Sequence, residues 1–339
     1  MANWKDLLRA DPTAWLLEPD NPSVRYWTLR NLLDRPEDDA EVQAARAAIA
    51  QSDVVQRLLA AQHADGYWGD DPRKPYGAAS TTAHLVVLAE LGVPVNDRIQ
   101  RGCEYFLEAS QQPDGGFSQV TGSSSREWYC VTGYMIKALT HFGYDRDPRV
   151  AAAWGYLYRR MVQGEGNGLS CRNSNDRGPC QWGFVKVLDA VATLPPGHRT
   201  AEQRKLAARL SESLLARAWD FGGRDKRWLS FGWPYQCQSD LLDIADVLAR
   251  LEHGVDKQFG MWVDLILAQQ DEQGHWARRA GMRLIDAGKK NRANKWITLK
   301  ALRVLNEDER GNRQLTGRGP AHAVAFTGHA LLFHNEEGI

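Results

Sequence analysis

Apolar residues recur at helical spacing along most of the chain, and three of these runs end on the same polar turn. The runs carry Val55, Leu58 and Leu59; Tyr105, Phe106 and Leu107; and Leu265, Ile266 and Leu267. The turns are Gln62-His63-Ala64-Asp65-Gly66-Tyr67-Trp68, Gln111-Gln112-Pro113-Asp114-Gly115-Gly116-Phe117 and Gln270-Asp271-Glu272-Gln273-Gly274-His275-Trp276. In each the glycine stops a helix, and the aromatic two residues later is placed to fold back onto the helix end. A polar loop then leads into a second apolar helix, predicted at about 80–91, 129–142 and 295–305. Two weaker copies fill the gap. One turns at Asn167-Gly168-Leu169 with its second helix at about 181–194; the other turns near Phe221-Gly222-Gly223 with its second helix at about 239–251. An initial pair is predicted at 15–33 and 41–59.

Trp68 and Phe117 lie 49 residues apart, and Phe117 and Trp276 lie 159 apart, or three steps of 53. A period near 50 with two helices per unit means an all-α repeat array. Periodicity alone leaves an open solenoid and a closed ring equally possible. A regular array can spread one domain over all 339 residues. The expectation is a single domain, 1–339, with a helical lead-in at 1–50 and a closing segment at 306–339.

The Gln-x-x-[Asp/Gln]-Gly-x-[Trp/Phe] turn resembles the glutamine–tryptophan motif of squalene–hopene cyclases and prenyltransferase β subunits. Trp228-Leu229-Ser230-Phe231-Gly232-Trp233-Pro234, Gln238-Ser239-Asp240-Leu241-Leu242 and Lys295-Trp296-Ile297-Thr298-Leu299-Lys300-Ala301-Leu302 are similar to bacterial prenyltransferase or squalene-oxidase repeat proteins. The similarity runs from about Trp15 to Leu305. It implies an α/α toroid of about six helical hairpins in two concentric rings. The second helices would form the inner ring, with their N-terminal ends and preceding loops facing a central cavity.

Three acid or metal motifs of such enzymes are missing. There is no Asp-x-Asp-Asp run, since Asp38-Asp39 and Asp70-Asp71 lack the preceding Asp. There is no Asp-Asp-x-x-Asp run. Before Cys237 the position of a zinc-binding Asp is taken by Tyr235. Cysteines stand out instead. Aligning Lys137-Ala138-Leu139, Lys186-Val187-Leu188 and Asp243-Ile244-Ala245 makes Cys180 and Cys237 equivalent, with Cys130 one residue off. Inner-helix N-termini favour thiolate there, whereas a buried cysteine is simply a small hydrophobe. Cys171 and Cys180, nine apart, flank a polar loop. This pair resembles the acid–base cysteines of linalool dehydratase-isomerase; a disulfide or a zinc site is the competing use.

Aromatic residues gather at the same level: Trp128, Tyr129, Trp182, Trp233 and Trp296. Their faces suit an apolar chain or a carbocation, an attraction of about 2 kcal/mol when desolvated; packing between helix pairs is the other reading. Tyr235, Gln236, Cys237, Gln238, Asp240 and Asp243 share one loop, where Asp240 serves as a helix cap or as an acid. His84 is a buried histidine or a catalytic one. The basic residues Arg278, Arg279, Arg283, Lys289, Lys290 and Arg292 form a solvated loop or a phosphate grip. His322 and His329, near the end of the chain, are a weak metal pair.

Charge is balanced, 42 basic against 42 acidic residues, so a nucleic-acid partner is not expected. No run of 18 apolar residues occurs, and residues 1–11 lack an apolar signal core. Five scattered cysteines fit a reducing cytoplasm. The function expected is an enzyme of the lyase or isomerase type, acting on a small apolar, isoprenoid-like ligand without cofactor or metal. Catalysis would fall to Cys171, Cys180, Asp240, Tyr235 and His84, and substrate binding to Trp128, Tyr129, Cys130, Trp182, Trp233, Cys237 and Trp296. The rivals are a zinc- or diphosphate-dependent prenyltransferase-like enzyme and a non-catalytic binding module for an apolar ligand or peptide.

Overall fold

The computed structural model describes residues 4–71, 76–117, 120–121, 124–125, 129–164, 179–253 and 256–316. The regular structure among the described residues is almost all helical: α1 Thr13–Leu16, α2 Pro22–Asn31, α3 Ala40–Gln51, α4 Asp53–Ala60, α5 Thr81–Glu90, α6 Asp97–Ser110 and α7 Tyr129–His141. They continue with α8 Pro148–Met161, α9 Gln181–Thr193, α10 Ala201–Leu215, α11 Leu241–Arg250, α12 Lys257–Leu267 and α13 Lys295–Thr316. The strands among them are two-residue hairpins, Val120–Thr121 with Ser124–Ser125 and Ala277–Arg278 with Arg292–Ala293. Among the described residues no helix is long and apolar enough to cross a membrane.

The repeat units fall where the hydrophobic pattern puts them, but both members of the initial pair are broken. The 15–33 run splits between α1 and α2, where Pro19 and Pro22 deny backbone donors. Asn21 then restarts the helix by accepting from the Val24 amide at 3.1 Å, with Pro22 in the first turn. The 41–59 run splits at Ser52, whose ψ of 142° is extended.

Helices α2, α5, α7, α9, α11 and α13 form an inner ring. Neighbours pack in that order and α13 returns to α2. The link from α2 to α5 is the Trp27 indole, which donates to the Glu90 carbonyl at 2.9 Å. The inner helices are parallel: Tyr129 near the start of α7 lies against Gly183 near the start of α9, and Lys137 reaches Asp189 further along both. Most of their side chains are buried, as in helices walled in by other helices; residues 81–89 of α5 are all buried. The amphipathic helices α6, α8, α10 and α12 cover the outside.

The glutamine turns tie one unit to the next. Gln62 Nε2 donates to the carbonyl of Arg98 at the start of α6, and Gln111 Nε2 to that of Arg149 at the start of α8. Gly66 and Gly115 take positive φ, +95° and +91°. Each presses on the backbone of the next outer helix, at Arg101 and Ala152, so a Cβ there would strike a carbonyl. The third turn repeats this arrangement on the N-terminal segment. Gln270 Oε1 accepts from the Arg9 amide at 2.9 Å, and Gly274 packs on the Ala10 carbonyl. The array therefore closes, and the fold is an α/α toroid of six helical units. The aromatic plugs complete each turn: Trp68, Phe117 and Trp276 are buried, and their amides donate to Thr81, Thr132 and Thr298 at 3.0 Å each.

Candidate functional site

All six inner helices contribute to an axial cavity of about 380 Å³, within the range of small-molecule sites. Its two ends differ in chemistry. One end is aromatic, with Trp27, Trp233, Tyr235 and Trp296. The loop before α11 carries Trp233 there. Its amide donates to the Ala280 carbonyl at 3.2 Å and its own carbonyl accepts from Arg278 Nε at 2.8 Å. Its ring stacks on Trp296, centroids 4.0 Å apart and 14° from parallel, and its indole N–H donates to Glu90 at 2.8 Å.

The other end is ionic. Asp189 takes Lys137 at 2.7 Å and Arg250 at 2.5 Å. Asp246 takes Arg250 at 3.0 Å and Arg303 through two bonds of 2.5 and 2.7 Å. Asp243 takes Lys300 at 2.5 Å. Burial alone would push these carboxyls up. Lys137 and Arg250 outweigh it at Asp189, and Arg303 and Arg250 at Asp246, holding both below the usual carboxylate range. The cavity is thus amphipathic rather than aromatic throughout.

Asp240 behaves in the opposite way. It caps α11, with Oδ1 accepting from the Asp243 amide at 3.0 Å and Oδ2 from the Gly232 amide at 2.8 Å. It is 1% exposed. Burial, reinforced by the neighbouring Asp243 charge, pushes its carboxyl up to about 7 against the pull of Lys300 and the two amides. The Tyr235 hydroxyl lies beside it and donates to the Ser230 carbonyl at 3.1 Å. Burial, Asp240 and Asp243 raise the Tyr235 phenol, so it stays protonated at neutral pH. Tyr235 and Asp243 line the cavity, which places the Asp240 carboxyl one side chain behind its wall.

A carboxyl with a raised folded-state pKa stabilises the fold below its unfolded pKa of about 4 and loses that contribution as pH rises through about 7. Asp240→Asn keeps a capping oxygen and removes the titration. The variant should gain on the wild type between about pH 4 and 7 and level off above. Urea unfolding of both at pH 5 and pH 8 checks this; an unchanged difference would show that Asp240 titrates normally.

The other expected site residues are dispersed. Cys171 and Trp128 lie outside the described residues, as do His322, His329 and the turn at 167–169. Cys180 is 2% exposed at the N-terminus of α9, and its amide donates to the Tyr129 hydroxyl at 3.0 Å. Tyr129 is itself buried against Gly183. Cys130 and Cys237 are half-buried and both neighbour the Tyr134 hydroxyl. Trp182 turns to Trp228, centroids 6.2 Å apart, under the Arg227 guanidinium, and does not line the axial cavity. His84 stacks on Trp68 and bonds the Ser80 carbonyl at 3.0 Å; burial lowers its pKa. With Arg278, Arg279, Arg283 and Lys290 it faces a separate open cleft of about 1090 Å³ at the N-terminal mouth of the ring.

Among the described residues the sequence pattern also marks the axial charges. Lys137, Lys186 and Asp243 are the residues that align the repeats, and each is a charge inside an inner helix made mostly of apolar residues. Spacings of three, four and seven residues, as in Asp243, Asp246 and Arg250, put such charges on one face.

No protein-family model and no curated protein matches the chain. Solved structures do. A type II terpene cyclase, MstE, from Scytonema shares 17% identity over 81% of this chain and 85% of that one, with a TM-score of 0.43. A protein from Actinoplanes shares 16% over 85% and 90%, with a TM-score of 0.41. A variant of the Scytonema cyclase in complex with geranylgeranyl dihydroxybenzoate, its substrate, shares 14% over 78% and 97%, with a TM-score of 0.32. The chain's own helix pairing and closure define the fold as an α/α toroid.

Proposed function

We propose that the toroid is a terpenoid cyclase-like enzyme, performing acid–base chemistry of the lyase or isomerase type on a small, largely apolar, isoprenoid-like substrate in the axial cavity. The observation that carries this reading is the Asp240 carboxyl, buried, held near neutrality and joined through the Tyr235 phenol to an aromatic-walled cavity. A group poised near the working pH is suited to giving up a proton and taking it back. The Tyr235 hydroxyl would pass its proton to a substrate double bond or hydroxyl while accepting one from Asp240. The new Asp240 carboxylate would be balanced by Lys300. The faces of Trp233, Trp296 and Trp27 would stabilise the resulting cation. Return of a proton from the substrate cation to Tyr235 and Asp240 would close the cycle, directly for an isomerisation and after loss of water for an elimination.

The test is a turnover screen of terpenols and prenyl diphosphates with the wild type, Asp240→Asn, Tyr235→Phe and Cys180→Ser. Turnover should fall by about 10²-fold or more in the first two variants while the fold, followed by circular dichroism, is kept. Equal activity in Asp240→Asn and wild type would remove the acid. A collapse in Cys180→Ser alone would move the chemistry to the thiol. The internal pairing of the ionic end favours a second reading, a module that holds an amphipathic ligand without chemistry; binding of a panel member with no turnover by the wild type would select it.

A further inference from the structure

The axial cations are matched to carboxylates with one exception. Lys137, Arg250, Lys300 and Arg303 each make an ion pair of 2.7 Å or less. Lys186, on α9, does not. It is 7% exposed and lines the cavity. Its ammonium lies 4.0 Å from Asp243 Oδ2 and 5.9 Å from the centre of the Tyr235 ring, and it makes no hydrogen bond among the described residues. An ammonium carries three donors, and these face the cavity with no protein acceptor at hydrogen-bonding distance among the described residues. Asp243 does not come within hydrogen-bonding distance of it: Oδ1 is held by Lys300, and Oδ2, which accepts from the Asp240 amide at 3.3 Å, stays 4.0 Å from the Lys186 ammonium.

We infer that Lys186 binds an anionic oxygen of the ligand, a carboxylate or an equivalent oxyanion, and so orients an otherwise apolar molecule whose body lies against Trp233, Trp296 and Tyr235. The inference deepens the proposed function, on whose cavity it rests. It assigns the ligand a polarity: acidic head at α9, apolar body at the stacked tryptophans. An alcohol of the same skeleton would leave the ammonium under-satisfied.

Calorimetric titration of the full chain with geraniol, geranic acid and octanoic acid separates the two ideas. The wild type should bind geranic acid at least about tenfold tighter than geraniol, the scale of one charge-assisted hydrogen bond. Lys186→Met, close in length but uncharged, should lose that preference while keeping geraniol affinity. Lys186→Arg should restore much of it, which a merely structural role for the side chain would not do. Binding of octanoic acid that depends on Lys186, without binding of either isoprenoid, would support Lys186 and overturn the isoprenoid reading. Geraniol binding with no preference for the acid, or a preference that survives in Lys186→Met, would overturn the inference and leave the isoprenoid reading standing. Absence of binding by all three probes would overturn it as well.

Discussion

Asp246→Ala should destabilise the protein by about 3–5 kcal/mol, the usual cost of removing one partner from a buried ion pair. Asp246 is buried, and it joins Arg250 to Arg303. Without it, Arg303 loses the carboxylate that holds it through two bonds, and Arg250 keeps its pair with Asp189. The lost attraction matters less than the cost of a partly buried guanidinium stripped of that partner. Truncating Lys5, paired with Asp11 at the exposed rim, should cost about 1 kcal/mol or less. Acid dependence gives a second readout. Asp246 and Asp189 have lowered pKa values, so their stabilisation is present above an unfolded pKa of about 4 and is lost as pH falls through the folded values. The wild type should therefore lose stability below about pH 4 more steeply than Asp246→Ala. Urea unfolding at pH 7 and along an acid series measures both. A loss of under about 1 kcal/mol at pH 7 would mean the axis is solvated and the pairs are nearly neutral in energy.

Trp276→Ala should cost about 3–5 kcal/mol as well, by a different route. The ring is fully buried, so truncation opens a cavity that the packed helix ends cannot collapse into. Its N–H also donates to the Ile266 carbonyl at the end of α12 at 2.7 Å, a bond that truncation removes. Trp276 also fixes the turn whose Gln270 and Gly274 grip Arg9 and Ala10, so the loss falls at ring closure. Thr298→Val removes the hydroxyl that accepts from the Trp276 amide, leaves the ring in place and should cost about 1 kcal/mol. Comparing the two by chemical denaturation separates packing from hydrogen bonding. Unchanged stability in Trp276→Ala would mean that the plug is not part of the core.

The repeat was legible because its signals are local. A glycine obliged to take positive φ, a glutamine before it and an aromatic after it stand in one seven-residue window, and all three turns take the form their residues predict. Inner-helix bounds followed, with Gln181–Thr193 against an expected 181–194, because apolar runs and caps are local too. Closure was not legible from periodicity, since the contacts of Gln270 and Gly274 with Arg9 and Ala10 span some 260 residues. The site was legible only in part. Trp182 and Trp296 hold the same register position, yet Trp296 meets Trp233 over the axis while Trp182 is drawn to Trp228. Which way a side chain turns depends on the neighbouring loop, and the loop before α11 differs from the others. The axial charges were in view as alignment marks. Their meaning lies in pairs between different helices, such as Lys300 with Asp243, and sequence spacing does not reveal them.

The grip of the third turn on Arg9 and Ala10 changes how the molecule can come apart. In an open stack the end units have one neighbour each, and melting can start there and spread inward. A ring has no such units. Each of the six hairpins is held on both sides, so opening any one of them breaks two interfaces, and the first break is the hardest to make. Stability belongs to the circuit, and the N-terminal segment, which looks like a lead-in when the chain is read from one end, is the clasp that completes it.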